Sequence, residues 1–424
     1  MTSAVMSLAV AVLIFGMAAA GMLRGADPWA TWFYPLAWYP TLLGVDAVLR
    51  IRTGRWYLLS DWRFAAAALL WSVPFWLLFE LINFRVANWY YVFVPPDAAS
   101  RWTGITLSFA TVLPAILISK RAVEHAGFTR KMRSRTWSVS DRLPWLLQGL
   151  GVAFIVLAMV WPRLFFPLIW GAVTLLADPW VYRRDPERSL LGALERGRPA
   201  VIADVLIGGL AIGFLWELYN TQARGHWIYT VPGLEELKLF EMPVLGFLGF
   251  PILALDGWAI WNVLVLAGLA REPGGEPERP SRHLRTLGWG VASLVFSVGI
   301  LAGMERYVIT SVTPSLTDVA GDAAPRLASV GYDVFSLAEA DPDGIVSALS
   351  EPDGHVWVQS ARLVTLRGIG AANAERLRAV GIISTPELAA ADPDELFTAL
   401  MAIDAPHVTP ARVRVWVRGA RGRR

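Results

Sequence analysis

Two segments of the chain combine an acid and an amide at the same spacing inside long apolar runs. One contains Glu80 and Asn83, and the other contains Glu217 and Asn220. Residues three apart lie on one face of a helix, so each carboxyl and its amide can meet the same ligand or each other. Ionisable groups in membrane-length segments are costly and are by default functional candidates. The alternative is a structural role, in which they join neighbouring helices by hydrogen bonds.

The segments around the two acids are copies of one pattern. In both copies a tryptophan precedes an aspartate by eight residues, and the Glu precedes two prolines by fifteen and thirty-four residues. The matched positions are Trp38, Asp46, Glu80, Pro95 and Pro114 in the first copy, and Trp170, Asp178, Glu217, Pro232 and Pro251 in the second. Chance does not preserve so many spacings, so we interpret the chain as an internal duplication.

Aromatic residues are duplicated together with the acids and form a second group of candidates. Tryptophan and tyrosine suit the membrane–water interface, and their ring faces stabilise cations. The candidate substrate-binding residues are Trp89, Tyr91, Trp216, His226, Trp227 and Tyr229. Asp256 and Glu241 join the glutamates and asparagines as candidate catalytic residues. Because the second copy has these nearby acids, we expect Glu217 to be the active one.

The composition predicts a membrane protein. The chain has 424 residues, is 55% hydrophobic and contains 21 tryptophans. Its mean hydropathy is +0.46. Nine apolar runs are long enough to span a bilayer: 3–23, 33–49, 64–83, 103–119, 145–161, 164–182, 200–219, 243–268 and 284–304. No basic residue precedes the first run, as a signal peptide would require, so we interpret it as a span. There are no cysteines and only five scattered histidines, and no cofactor or metal is predicted.

Basic residues are distributed unequally between alternate loops. Loops after the even-numbered spans carry 20 lysines and arginines, whereas loops after spans one, three, five and seven carry 6. The positive-inside rule then predicts a cytoplasmic N-terminus and a C-terminal tail outside the cytoplasm, in a bacterial inner membrane. Four spans per copy predict two parallel repeats around an axis along the membrane normal. Asp46 and Asp178 fall beside arginines at the inner helix ends, where an ion pair is one interpretation.

Residues 305–424 have no spanning run and are duplicated separately, at an offset of 50 to 51 residues. The second copy contains Leu366-Arg367-Gly368-Ile369-Gly370, which resembles the helix-hairpin-helix motif, with its Gly-hydrophobic-Gly turn between two short helices. Where such motifs bind DNA, the turn amides face a phosphate, and the resemblance implies this role for Gly368, Gly370 and Arg367. However, residues 305–405 carry 15 acidic and 6 basic residues, which disfavours DNA. A protein partner or self-association is the alternative. The arginine-rich end, residues 406–424, could also bind anionic lipid.

The membrane part carries a second resemblance. Trp216-Glu217 with Trp227-x-Tyr229, and Glu80 with Trp89-Tyr90-Tyr91, are similar to the Trp-Asp-Asn…Trp-x-Tyr signature of the integral-membrane, flavin-independent lycopene cyclases, with Glu in place of Asp. The resemblance implies cofactor-independent cyclisation of an isoprenoid. This chemistry needs a proton donor and a stabilised carbocation, which a carboxyl held out of water and aromatic faces can supply.

The sequence therefore predicts an all-α polytopic bundle with a small all-α tail. The predicted domains are a membrane domain, 1–304, and the tail, 305–424; the membrane domain contains repeat one (1–120), repeat two (143–268) and a ninth span (284–304). The predicted function is binding or acid-catalysed conversion of a lipid or isoprenoid. A transporter or lipid carrier with a site between the repeats is the first alternative, and a membrane anchor displaying the tail is the second.

Overall fold

The computed structural model describes residues 2–231, 237–273, 283–403 and 408–422, with side chains from residue 286 onwards in the segment that begins at 283. Several residues of the sequence patterns lie outside these ranges. They are Pro232 of the duplicated pattern, the loop arginines Arg279 and Arg282, and the terminal arginines Arg423 and Arg424. The chain forms two compact units. The first comprises 1–86, 102–223 and 232–303, and the second comprises 87–101, 224–231 and 304–424. The second unit is thus larger than the predicted tail, because two loops from the predicted membrane domain belong to it.

Helices make up nearly all of the first unit. Their bounds are α1 Thr2–Leu23, α2 Phe33–Thr53, α3 Trp62–Val86, α4 Ala98–Phe109, α5 Val112–Ala126, α6 Leu143–Val160, α7 Pro162–Phe165, α8 Ala172–Tyr182, α9 Leu190–Glu195, α10 Ala200–Gln222, α11 Gly249–Leu266 and α12 His283–Tyr307. The first residues of α4 and the last of α12 belong to the second unit. Short 3-10 turns lie at Leu58–Ser60, Phe166–Ile169 and Val244–Leu248. Two later strands, Lys238–Leu239 and Met242–Pro243, form a small hairpin.

Eight helical segments within the described residues are long and apolar enough to cross a membrane. They correspond to eight of the nine predicted spans. The ninth, predicted over 33–49, falls on α2, which carries Asp46, Arg50 and Arg52 in its second half and is therefore less apolar. With 21 residues, α2 is about 31 Å long, comparable to the hydrocarbon core of a bilayer. It packs closely on α1, where a Cβ on Gly44 would lie 3.7 Å from that of Ala11.

Two of the spanning segments are interrupted, and a polar side chain from a neighbouring helix satisfies the backbone at each break. Between α4 and α5, the Ser72 hydroxyl donates to the Phe109 carbonyl at 2.5 Å and accepts from Leu113 N–H at 2.9 Å. Before α8, the Asp256 carboxylate accepts from the N–H groups of Gly171 and Thr174 at 3.0 and 2.7 Å. Irregular backbone at membrane depth is tolerated when it is buried with such partners.

The second unit is built on two short strands and the helices of the tail. Strand β1, Trp89–Val92, pairs antiparallel with strand β2, His226–Tyr229; the hairpin strands of the first unit are β3 and β4. The tail helices are α13 Leu316–Ala320, α14 Ala324–Ser329, α15 Val334–Glu339, α16 Pro342–Leu349, α17 Gly354–Val364, α18 Gly370–Ala379, α19 Thr385–Ala390, α20 Pro393–Ala402 and α21 Pro410–Arg421. Their core is formed by aliphatic side chains together with Trp357 and Trp416.

Equivalent side chains stabilise equivalent helix ends in the two halves of the tail. Arg362 donates to the carbonyls of Ala338 and Ala340, both at 3.1 Å. Arg421 makes the same pair of contacts with Ala389 and Ala391, at 3.0 and 3.2 Å. Asp341 and Asp392 cap α16 and α20 through their carboxylates. These repeated contacts fit the sequence duplication of this region.

Candidate functional site

Both acid–amide pairs lie on the long helices of the first unit and are fully buried. Glu80 and Asn83 are near the end of α3, and Glu217 and Asn220 are near the end of α10. The exposed fraction of all four residues is 0%. A carboxyl group without access to water is strongly disfavoured in its charged form, unless other groups compensate. The two pairs therefore meet the first physical condition for holding a proton inside the helical bundle.

Aromatic rings from the opposite repeat pack against the residue that precedes each acid. The ring of Trp38, on α2, lies 5.9 Å from that of Trp216, the residue before Glu217. Trp170, which the pattern equates with Trp38, stacks on Phe79, the residue before Glu80, at 5.4 Å and 21°. Each repeat thus contributes a tryptophan to the acidic helix of the other. Such exchange is what two copies related by a local two-fold axis would produce.

Other polar groups approach the acids from nearby positions. The Trp76 indole N–H donates to Oε1 of Glu80 at 3.0 Å, one helical turn away. Tyr34 lies close enough to Glu217 for an electrostatic interaction. Tyr219 shares a hydrogen bond of 2.9 Å with Thr41 of α2. The sequence analysis did not select Trp76, Tyr34, Trp38 or Trp170 as site residues. The duplicated spacing from tryptophan to aspartate was the available signal for the last two.

Asp256 and Glu241 occupy different surroundings from the two glutamates. Asp256 is fully buried, and besides the two amides before α8 it accepts from the Thr174 hydroxyl at 2.6 Å. All three hydrogen-bond donors to Asp256 come from the start of α8. These donors are enough to explain why its carboxylate is buried. Glu241 lies in the turn between β3 and β4, with Nζ of Lys238 at 3.9 Å. Their predicted catalytic roles stay predictions, and neither contact requires a substrate.

Asp46 and Asp178 act on the backbone rather than on the adjacent arginines. Asp46 accepts from the N–H groups of Tyr57 and Leu59 at 2.7 and 2.9 Å. Asp178 accepts from Leu190 and Leu191 at 2.7 and 2.8 Å. Each carboxylate thus caps the short helix that follows its span. The interpretation as ion pairs at the helix end was wrong, because the acids turn inward to these amides.

The duplicated aromatic residues that follow α3 and α10 belong to the second unit, where they form the β1–β2 pair. Trp89 lies opposite Tyr229, and Tyr91 lies opposite Trp227, on either side of the Tyr90–Ile228 pair. Each tryptophan therefore faces the tyrosine of the other copy, so the pairing has local two-fold symmetry. Trp89, Tyr91 and Tyr229 are buried, and Trp227 and His226 are half-buried. Nδ1 of His226 lies 2.9 Å from the carbonyl oxygen of Arg224.

The start of the tail extends this sheet. Residues 308–313 run parallel to β1, with bridges from Tyr91 to Ile309 and from Val94 to Val312. Tyr91 N–H donates to the Val308 carbonyl at 2.8 Å, and Thr310 N–H donates back to the Tyr91 carbonyl at 2.8 Å. The main chain of the tail is therefore joined to β1 by strand addition.

The glycine turn that resembles a helix-hairpin-helix motif packs against this sheet. Gly368 and Gly370 are buried and have positive φ angles of 76° and 69°. A Cβ on Gly368 would lie within 2.1 Å of Val92, and one on Gly370 within 2.5 Å of Ser311. Close approach within the protein thus explains both glycines without a nucleic acid. Arg367 is exposed, and DNA binding by these three residues stays an untested prediction.

The arginine-rich end is not a free basic segment over its described part. Arg412 is 3% exposed, lies 5.0 Å above the Tyr90 ring and donates to the Tyr307 carbonyl at 2.9 Å. Burial lowers the pKa of its guanidinium to about 10, against an opposing effect of Tyr90, so it stays charged at neutral pH. Arg421 is used in the helix contacts above. Arg412 and Arg421 are therefore used within the protein, and lipid binding by the arginine-rich end stays a prediction.

Comparison with known families identifies one region of the chain. A family model described as a domain of unknown function, DUF4332, matches residues 348–421. The matched region runs from the end of α16 to the end of α21 and so contains the glycine turn. No curated protein and no solved structure matches the chain. In the described ranges, no group of three His, Asp or Glu side chains is arranged to hold a metal ion.

Proposed function

We propose that the first unit binds a hydrophobic lipid or isoprenoid within the membrane, and that Glu217, with Glu80 as its counterpart, acts on it as a proton donor. The observation that carries the proposal is the complete burial of both carboxyls on helices whose preceding residues, Trp216 and Phe79, pack against aromatic rings of the opposite repeat. The proposal rests on the residues of the first unit alone. Asn83 and Asn220 would orient the carboxyls or a polar group of the ligand.

The chemistry that fits such a site is cofactor-independent cyclisation or isomerisation. The carboxyl would protonate one carbon of an alkene and leave a carbocation, which the faces of Trp216, Trp38 and Tyr34 would stabilise. An internal double bond would close on the cation, and loss of a proton from a neighbouring carbon would restore neutrality. The proton balance is zero and no electron is exchanged. The carboxylate formed in the first step is the base for the last.

The test combines identification of the ligand with a matched set of variants. Lipids extracted from the purified full-length protein would be analysed by mass spectrometry, and the recovered compound would be used as substrate. Glu217→Gln keeps the shape and hydrogen bonding of the side chain but removes the acid. We expect it to abolish conversion while the protein still folds and retains the lipid. Glu187→Gln, at an exposed loop position, is the control.

A purely structural role for the two glutamates predicts a different result. If Glu217 and Glu80 serve only to join helices, each Gln variant should lose roughly 1–2 kcal/mol at most, with no change in bound lipid or turnover. That outcome, or recovery of no lipid beyond bulk membrane lipid, would reject the proposal.

A transporter or lipid carrier is the second candidate, and the interrupted segments favour it. Broken helices with polar residues at the breaks are typical of transporters built from repeats. Here Ser72 and Asp256 already satisfy the backbone at the breaks. A carrier would move the recovered lipid between leaflets of a vesicle without altering it. An enzyme would change its mass or its chromatographic retention.

The arrangement in the membrane completes the proposal. With α2 counted as a span, the chain has nine spans, a cytoplasmic N-terminus and an extracytoplasmic tail in a bacterial inner membrane. The tail would serve as an interaction module, for a protein partner or a second copy. As a membrane anchor displaying the tail, the chain would not need buried acids in both repeats.

A further inference from the structure

We propose that the first unit has a second binding site, for a phosphate group, at the end of the helical bundle opposite Glu80. The site is a cavity of about 960 Å³ at the ends of α2, α3, α5 and α11. Phe64 on its wall and Glu80 are both on α3, sixteen residues and about 24 Å apart along the axis. The inference is therefore independent of the proposed chemistry at the two glutamates.

The charge of the cavity lining is positive after its internal ion pairs are counted. Four basic side chains line it: Arg50, Arg55, Lys120 and Arg121. Glu124 pairs with Lys120 and Arg121 at 2.9 and 3.2 Å. Glu272, the other carboxylate of the lining, is bound by Arg188, which lies outside the lining.

Arg50 and Arg55 are the two basic side chains of the lining that are not paired with its carboxylates. Neither guanidinium makes a hydrogen bond or an ion pair with another residue of the described part of the chain. Arginine presents a planar set of donors that matches phosphate oxygens in pairs. Two uncompensated guanidinium groups at one cavity therefore favour an anion with several oxygens.

Specific contacts fix the walls of the cavity on two sides. Asp46 fixes one wall by accepting from the N–H groups of Tyr57 and Leu59, both of which line it. On the other side, the Lys120 ammonium lies 5.0 Å from the centre of the Trp258 ring. Basic residues that serve only to orient a membrane protein can project freely into water. Arg52, two residues from Arg50, is of that kind: it is exposed and does not line the cavity.

The duplication supports a specialised site. The spacing that relates Glu80 to Glu217 also relates Arg121 to Trp258 and Glu124 to Trp261. All four residues line the cavity. The charged positions of one repeat thus meet the aromatic positions of the other, and the two copies have diverged where they meet. Basic pockets between membrane helices bind phosphorylated lipid headgroups, and the same chemistry would hold a soluble phosphate compound.

The experiment uses full-length protein in nanodiscs and two probes. Phosphatidic acid added to phosphatidylcholine discs tests a lipid headgroup, and inorganic pyrophosphate added to discs of phosphatidylcholine alone tests a soluble phosphate. We expect the wild type to bind at least one of them. Loss of charge-assisted hydrogen bonds in Arg50→Gln/Arg55→Gln should weaken binding roughly tenfold or more. The matched control, Arg52→Gln, should bind like the wild type.

Each outcome decides the proposal. Binding of phosphatidic acid alone assigns a lipid headgroup, and binding of pyrophosphate in neutral discs assigns a soluble ligand. Equal weakening by Arg52→Gln would indicate diffuse surface charge and overturn the site, as would binding of neither probe by the wild type. Arg55→Gln alone, at an exposed position, serves if the double variant does not fold. Glu217→Gln should leave phosphate binding unchanged, which separates failure here from failure of the proposed function.

Discussion

Buried acids in the first unit divide by the kind of group they contact. Asp46, Asp178 and Asp256 all accept from backbone N–H groups at a break or a helix start. Glu80 instead accepts from the indole of Trp76. A short aspartate side chain suits a helix cap, because its oxygens reach the first free amides. These three aspartates thus stabilise irregular backbone, unlike the buried Asp204, which accepts from the Thr129 hydroxyl at 2.5 Å. The two glutamates stay the candidates for chemistry.

Asp256 offers the sharpest test of this division. Asp256→Ala leaves the amides of Gly171 and Thr174 without an acceptor, so we expect a loss of about 1–3 kcal/mol for each unsatisfied group. Asp256→Asn keeps one acceptor oxygen and should lose less. The measurement is thermal unfolding of the purified protein in detergent. If the Asn variant is as stable as the wild type but cannot convert the ligand, Asp256 is catalytic and the division fails.

Sequence reasoning at this scale found the buried acids but not their partners. The cost of placing an acid in an apolar run made Glu80, Glu217 and Asp256 visible. Whether such an acid meets an amide or a substrate depends on helix breaks. Pro167 and Gly171 mark the break before α8, but they do not indicate which side chain reaches it. Ser72 was missed for the same reason, because an isolated serine in an apolar run is common.

At the scale of elements, the least expected feature is the sheet of the second unit. The sequence predicted that the Trp-Tyr segments were duplicated loops, and their pairing as β1 and β2 was not anticipated. Each strand has four residues, too few for alternation to be recognised. Pairing between segments more than one hundred residues apart is set by tertiary structure. The glycine turn was visible in the sequence, but its contact with Val92 was not.

This contact can be tested with glycines that share a backbone conformation. Gly368 and Gly381 have φ angles of 76° and 88°, but only Gly368 would place a Cβ against another residue, Val92. Both Ala variants incur backbone strain of order 1 kcal/mol. Gly368→Ala should cost clearly more, because it also displaces the strand. Thermal unfolding and limited proteolysis of the full chain would measure the difference.

A double variant separates the strain from the contact. Val92→Gly removes both the Cγ1 and the Cβ of Val92, which would lie 2.1 and 2.4 Å from the new Cβ, so it should recover part of the loss in Gly368→Ala but none of the loss in Gly381→Ala. Equal losses in the two glycine variants, without recovery, would show that the turn does not depend on β1.

For the whole molecule, duplication explains features that lie far apart in the sequence. In the first unit, Trp38 and Trp170 each contact a residue of the other copy. In the second unit, Trp89 and Trp227 each pair with a tyrosine of the other copy. Within each unit, a local two-fold relation between the copies would place its pair in this way. The number of crossings depends on α2, which is as long as a span but less apolar than the other eight segments. Whether α2 crosses the membrane decides on which side the N-terminus lies, relative to the loops that follow α2.

The absence of cysteine allows the topology to be tested directly. Three single-cysteine variants place a thiol at exposed positions at the start of α1, between α5 and α6, and in the tail: Thr2→Cys, Ser138→Cys and Ser329→Cys. With nine spans, four crossings separate positions 2 and 138, and five separate 138 and 329. A membrane-impermeant maleimide added to intact cells should therefore label Ser329→Cys alone, and a reporter after Arg424 that works only in the cytoplasm should stay silent. If Thr2→Cys is also labelled, α2 does not cross. If Ser329→Cys is protected together with Ser138→Cys, a later span has been miscounted, and the break at α7 and α8 is the first place to look.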